Sequence, residues 1–401
     1  MTDVCLILEG TYPYKTGGVT TWISTLVNGL PEITFSVAHV YYGQKPSHPK
    51  VAIPRNLKTI ALIPLNEMES AVSMSELVNL LPAAKLYHSL STGFAGLLGT
   101  EMKRRSGLPF VLTEHGIYWH EVSLGADELE CGFKIVNTEN GELHLGRTWE
   151  TWHQTFQNFA RQAYASADVI TTVCAFNQSL QRSLGALEAK MQMIPNGVDL
   201  SRNGVHSASR NRARARKRIA LVGRVTPIKD VRTFIRACAL VKERIPDAEF
   251  RVIGPTDHDS PYTAECMKLA DSLRLNELEF TGETDMAEQY PAIEIMVLTS
   301  ISEAQPYAVL ESFAHGIPVV VTDVGGCREL VNGSGSSHDC AGTLCPVGDH
   351  HRIAEAIIEL SSNQSLYQRY AQEGLKRAQD HYSKESVITS YKRIYERCLT
   401  R

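Results

Sequence analysis

Short apolar runs, each closed by a glycine- or charge-bearing loop, set the rhythm of the chain. Residues 4–8 are apolar and are followed at once by Glu9-Gly10-Thr11-Tyr12-Pro13 and Gly17-Gly18. Residues 19–30 then repeat apolar positions at helical spacing, with Trp22, Leu26 and Leu30 on one face. The pattern predicts strand, glycine loop, helix. It recurs with strands at 36–41, 59–62, 85–88, 110–112, 169–173 and 191–195. A second series follows at 219–222, 250–253, 278–280, 295–298 and 319–321, with helices starting near Asp230, Pro261, Met286, Tyr307 and Arg328. Runs that are apolar throughout, alternating with helices, predict parallel sheets covered on both faces.

Between Asn203 and Arg218 the composition changes to Gly, Ser, His and a run of Arg, which marks a domain boundary. The expected organisation is therefore α/β with two Rossmann-like doubly wound domains facing across a cleft. The first covers residues 1–203 and the second 204–384, and a last helix, 385–401, is a candidate to pack back on the first. A length of 401 residues suits two such domains. In doubly wound sheets ligands bind beyond the carboxyl ends of the strands, so the loops after the strands should carry the chemistry.

Charge narrows the partners. Forty Lys+Arg against 44 Asp+Glu leave a formal charge of -4, so no global field favours nucleic acid or an anionic membrane. The densest basic run, Arg210 to Arg218, reads as a solvated linker, with contact to anionic lipid or an acidic partner as the sharper alternative. Apolar stretches are strand-sized, and Asp3 and Glu9 flank the first where a signal peptide would carry cations, so a cytoplasmic location is expected. Nine scattered cysteines without a C-x-x-C pair indicate neither a zinc knuckle nor a disulfide framework.

Four constellations carry candidate chemistry. Gly223 and Arg224 follow the first strand of the second series, and Lys229 lies where the next helix opens. Both cations can reach a diphosphate beyond the strand end. Glu303 and Glu311, preceded by Ser300 and separated by Gln305, Pro306 and Tyr307, place one carboxylate in a loop and one about a turn into a helix. Such acceptors suit the paired hydroxyls of a sugar and a ribose. Gly325-Gly326 before a helix, and Gly17-Gly18 before another, expose backbone N–H groups to an anion. His115, at a strand end in Thr113-Glu-His-Gly116, can exchange a hydrogen bond with a substrate hydroxyl. Asp257-His-Asp259 invites a metal, but Ile253-Gly-Pro-Thr-Asp257 running into Ser260-Pro261 reads as a turn and helix cap, so no metal is expected.

Taken together, Gly17-Gly18-Val19, Pro195-Asn-Gly-Val-Asp199, Gly223-Arg224 with Lys229, the Glu303/Glu311 pair and Gly325-Gly326-x-x-Glu329 resemble the retaining GT-B glycosyltransferases of sequence family 4. More narrowly, Glu9-Gly-Thr-Tyr-Pro13, Gly17-Gly-Val-Thr-Thr-Trp22, Thr113-Glu-His-Gly-Ile-Tyr118 and Ile253-Gly-Pro-Thr-Asp257 are similar to the cytosolic glycosyltransferases of Pel-type exopolysaccharide synthesis. The resemblance implies a UDP-sugar as substrate rather than a bound cofactor, a glycan acceptor, membrane-bound polysaccharide synthase partners and a place peripheral to the inner face of the membrane. It implies that Arg224 and Lys229 hold the diphosphate, Glu311 the ribose, and Glu303 with the backbone around Gln305 the sugar. His115 would meet the transferred sugar and Gly18 the phosphates. Residues 121–148 have no counterpart in that resemblance. Lys15-Thr-Gly-Gly18 is also similar to the loop of ADP-glucose-dependent glycogen and starch synthases, although Gln305-Pro-Tyr307 departs from them. A partner-dependent nucleotide-sugar-binding subunit and a GT-B-fold nucleotide-sugar epimerase are the remaining alternatives.

Overall fold

A computed structural model describes residues 1–65, 74–125, 129, 131–135, 148–201, 217–333 and 339–400. The chain divides into two compact units, one made of Met1–Asn196 with Glu385–Arg401 and the other of Gly197–Lys384. Arg210, Arg212, Arg214 and Arg216, and most of 121–148, lie outside the described residues.

The first unit is built on a seven-stranded sheet of β1 (Thr2–Glu9), β2 (Phe35–Tyr41), β3 (Leu57–Pro64), β4 (Ala84–Ser89), β5 (Phe110–Glu114), β6 (Val169–Thr172) and β7 (Met191–Met193). Their order is β3-β2-β1-β4-β5-β6-β7, and every pairing is parallel. Val4, Leu6 and Ile7 of β1 are fully buried, as are Val111 and Leu112 of β5, because helices cover both faces. On one side Phe94, Phe133, Trp152 and Phe156 pack edge to face or stacked around the helices Phe94–Ser106 and Trp149–Ser166. The latter helix starts where the Thr148 hydroxyl accepts the Thr151 N–H at 3.1 Å.

The last helix, Lys384–Leu399, supplies part of this unit's core. Tyr391 and Tyr395 are fully buried. The Tyr395 hydroxyl meets His88 Nδ1 at 2.7 Å, and the Tyr391 hydroxyl lies 3.1 Å from Thr113 Oγ1 and 3.0 Å from Thr171 Oγ1. Gly29 is required where the chain passes beneath Ile388, whose side chain would overlap any Cβ there.

The second unit repeats the design with six parallel strands, β8 (Arg218–Val222), β9 (Glu249–Ile253), β10 (Leu278–Gly282), β11 (Ile295–Leu298), β12 (Val319–Thr322) and β13 (Gly342–Cys345). Their order is β10-β9-β8-β11-β12-β13. The strand order reverses between β8 and β11, where a doubly wound sheet opens its ligand crevice. One strand went unforeseen, and one helix starts where expected but is short. Strand β13 was not foreseen, because Gly342-Thr-Leu-Cys345 is a short edge strand with a half-buried centre rather than an apolar run. The helix at Met286 lasts only to Gln289 before a 3-10 turn, since Pro291 lacks the N–H that would continue it.

Asp230 caps the helix Val231–Arg244, its carboxylate accepting the Thr233 N–H at 3.3 Å. Asp259 likewise caps Ser260–Ser272, accepting Tyr262 N–H at 2.9 Å, so that carboxylate serves a helix end. Where the chain enters and leaves this unit, Val198 N–H donates to Tyr382 O at 2.8 Å and Lys384 N–H to Val198 O at 3.1 Å. An ion pair between Lys384 and Asp199 reinforces the seam.

Candidate active site

The second unit gathers the predicted residues at the switch point. Gly223 leaves β8 at φ 159°, and its N–H donates to Ile253 O at 2.9 Å, holding the loop against β9. Gly254 passes so close that a Cβ there would overlap the Gly223 carbonyl. Arg224 is half-buried in this loop. Lys229 ends a 3-10 turn, Pro227–Lys229, pinned from behind because Ile301 N–H donates to Ile228 O at 2.8 Å. Thr299 Oγ1 also donates to the carbonyls of Lys229 and Asp230, both at 2.9 Å. The loop after β8 and the loop after β11 are thus one body.

Lys229 forms an ion pair with Glu303 Oε1, and the buried Ser300 hydroxyl donates to the same oxygen at 2.6 Å. Both side chains keep some exposure, 19% for Lys229 and 10% for Glu303, which leaves the pair reachable from solution. Gln305 and Pro306 are buried and Tyr307 opens the helix Tyr307–Ala314. The Gly325 loop seals the arrangement: at φ 50° a side chain is strained, and its Cβ would overlap the Glu303 carbonyl. The sequence led us to expect bare amides at Gly325-Gly326. In the structure Gly326 N–H donates to Ala304 O at 2.8 Å and so fixes the Glu303 loop, while Cys327 N–H closes a local turn on Val324 O at 3.0 Å.

Glu311 sits apart from that ion pair. Its Oε2 accepts the Tyr290 hydroxyl at 2.6 Å, and burial pushes both groups' pKa up. His315 stacks on the Tyr290 ring at 4.6 Å, and its Nδ1 lies 2.7 Å from Glu311 O, which ties tyrosine, imidazole and helix together. Tyr290 escaped sequence reasoning because nothing near it in sequence marks it as the partner of Glu311.

In the first unit, Gly17 at φ 153° precedes the helix Gly18–Gly29, whose first-turn N–H groups have no intrahelical partner. Gly17 and Gly18 are exposed, and Thr20 Oγ1 folds back to donate to Lys15 O at 2.6 Å. His115 leaves β5 with its ring edge-on to Trp22, 4.8 Å between centroids. Its Nε2 is buried with no hydrogen-bond partner among the described residues, and loss of hydration lowers its pKa to about 4, so it is neutral near pH 7.

The adjacent Glu114 escaped sequence reasoning as a functional residue. It is fully buried, and burial raises its pKa to about 6 against the opposing pull of three donors. Thr92 Oγ1 donates at 2.6 Å, Tyr164 OH at 2.7 Å and Gln181 Nε2 at 2.8 Å. A similar carboxylate, Glu9 at the end of β1, accepts Ser91 Oγ and Ala95 N–H, each at 2.8 Å. Among the described residues no group of three His, Cys, Asp or Glu side chains is placed to hold a metal ion, and no helix is long and apolar enough to cross a membrane.

Comparison with known proteins adds an independent line. Residues 216–363 match the family described as glycosyl transferases group 1, and 2–75 and 65–189 match a domain of unknown function. N-acetyl-alpha-D-glucosaminyl L-malate synthase of Bacillus anthracis is 26% identical over 170 residues, 42% of this chain and 42% of that protein. The chain thus aligns with less than half the length of that relative. The UDP-Gal:alpha-D-GlcNAc-diphosphoundecaprenol alpha-1,3-galactosyltransferase of Escherichia coli is 23% identical over 332 residues, 78% of this chain and 75% of that protein. Among solved structures, sucrose-phosphate synthase from Thermosynechococcus elongatus superposes with a TM-score of 0.76 at 18% identity, covering 99% of both chains. Anabaena HepE in complex with UDP-glucose gives 0.75 at 16% identity, covering 98% of this chain and 99% of that one.

Proposed function

We propose that the chain, whose residues 216–363 match glycosyl transferases group 1, is a GT-B-fold glycosyltransferase that moves a sugar from a UDP-sugar to a glycan acceptor with retention of anomeric configuration. The observation that carries the reading is the Lys229–Glu303–Ser300 cluster, set on the two loops flanking the switch point and braced by Gly325. An ammonium held by one carboxylate and open to solution is a ready counter-charge for a diphosphate.

In this reading Lys229 and Arg224 receive the negative charge that grows on the departing nucleotide as the glycosidic bond stretches, which is where preplaced charge lowers a barrier most. Glu303, freed in part from Lys229, and the backbone at Gln305 take the sugar's hydroxyls, and Glu311 takes the ribose. The resemblance assigns Gly18 to the phosphates and neutral His115 to the transferred sugar. The departing phosphate itself helps to take the acceptor's proton, so no side chain serves as nucleophile. The positive charge needed for the diphosphate comes from the protein, and the activity is metal-independent. The sequence resemblance supports placing it in family 4, similar to the exopolysaccharide enzymes of Pel type, acting in the cytoplasm beside membrane-bound synthase partners.

The deciding experiment is thermal-shift titration against UDP, ADP, GDP and their sugar conjugates, with and without EDTA, since a ligand that binds only the native state raises its melting point. Stabilisation by UDP-sugars, unaffected by EDTA and lost in Lys229→Ala, is expected. Stabilisation by ADP-glucose alone would replace the donor, and no shift with any nucleotide would leave a partner-dependent subunit.

A further inference from the structure

We propose that Glu114 is the positioning residue for His115, clamping the end of β5 so that the imidazole keeps one orientation. The inference rests on the reading of His115 as a contact of the transferred sugar. Successive side chains of a strand point to opposite faces. Thr113 points one way, within hydrogen-bond reach of His88 Nε2 at 2.7 Å and of the Tyr391 hydroxyl at 3.1 Å. Glu114 points the other way and gathers Thr92, Tyr164 and Gln181. His115 returns to the first face, on Trp22. The peptide that carries the imidazole is therefore held from both sides of the sheet.

The three donors to Glu114 come from three separate segments: the loop after β4, the helix Trp149–Ser166 and the helix Ala175–Ser183. Both carboxylate oxygens are engaged, Oε1 by Thr92 and Oε2 by Tyr164 and Gln181. Simple packing does not account for the residue. A buried carboxylate without a cation is a costly way to fill space, and an apolar side chain of similar volume would serve the core better. Gln181 Oε1 in this cluster is buried with no hydrogen-bond partner among the described residues, a polar atom that packing alone would not select. What three converging donors supply is directional rigidity, and a group that meets a reacting sugar loses efficiency when displaced by a fraction of an ångström.

The test compares Glu114→Gln with the milder Tyr164→Phe, which removes a single donor. Three quantities are read: the nucleotide-induced thermal shift, kcat and KM for the donor, and the imidazole resonances of His115 in 15N-histidine-labelled protein, assigned by their loss in His115→Asn. The proposal expects the nucleotide shift to persist in both variants and donor KM to stay within about twofold, while kcat falls about tenfold or more in Glu114→Gln and less in Tyr164→Phe. The His115 resonances should move in both. Folded variants with wild-type kcat and superimposable His115 resonances would overturn it. If the wild-type protein transfers no sugar, the functional reading fails on its own, and the resonance comparison still decides whether Glu114 sets the imidazole.

Discussion

Glu303 and Glu114 both lie at the carboxyl ends of parallel strands, yet the protein treats them in opposite ways. Glu303 faces a cation, Lys229, and both side chains retain exposure. Glu114 is sealed from solvent and faces only neutral donors. An ion pair open to solution can exchange partners, because an incoming anion offers the ammonium a second carboxylate-like ligand without new desolvation. Three hydrogen bonds in the interior cannot be exchanged without exposing buried polar atoms. One carboxylate is suited to meeting a ligand and the other to holding a neighbour still.

The contrast is broken most severely by acid. His39, His88 and His115 in the first unit are neutral in the folded state because burial depresses their pKa to about 4, 3 and 4, from 6.5. A depressed histidine stabilises the fold above its unfolded pKa, and that contribution is lost as pH falls from 6.5 through 4. Glu114, raised by burial from 4.5 to about 6, and Glu9, also raised by burial, work in the opposite sense and favour the fold as pH drops, so two carboxylates oppose the three imidazoles. The three imidazoles together lose several kcal/mol of stabilisation on acidification, at ~1.4 kcal/mol for each unit of separation. All four tryptophans lie between residues 22 and 152, so their fluorescence reports the first unit and should show the acid transition while Glu114→Gln steepens it.

Next in size, Lys229→Ala should lower turnover on the order of 10²-fold, read by steady-state transfer, because it removes a preplaced charge. Unchanged turnover in a folded variant would sink the assignment of the Glu303 cluster. Gly325→Ala should cost about 1–3 kcal/mol in urea unfolding, the scale of a residue forced into a strained backbone region. Smallest is Tyr290→Phe, which leaves the buried Glu311 without its donor and should cost about 1–2 kcal/mol. A variant as stable as wild type would show that Glu311 has other support.

Much of this was legible in the sequence because the relevant signals are local. Strands buried on both faces read as unbroken apolar runs, which is why β1, β8 and β11 emerge within a residue or two of their observed limits. Lys229, Glu303 and Gly325 each follow a strand and stand out as charge or glycine beside apolar sequence. What sequence could not disclose was pairing over distance. Nothing in Thr113-Glu-His-Gly116 names Thr92, Tyr164 and Gln181 as its partners, and Tyr290 is 21 residues from Glu311. The edge strand β13 was invisible for a different reason, since a half-buried edge has no need of a continuous apolar run.

The final helix has a consequence for how the protein is made. His88 and Thr113 are core residues of the first unit, but their partners Tyr395 and Tyr391 are synthesised only after the whole of the second unit. The second unit, begun later, has all its strands in hand before then and ends at Lys384. Synthesis therefore completes the units in the reverse of the order in which it starts them, and the nascent first unit must wait with the polar atoms of His88 and Thr113 short of a partner.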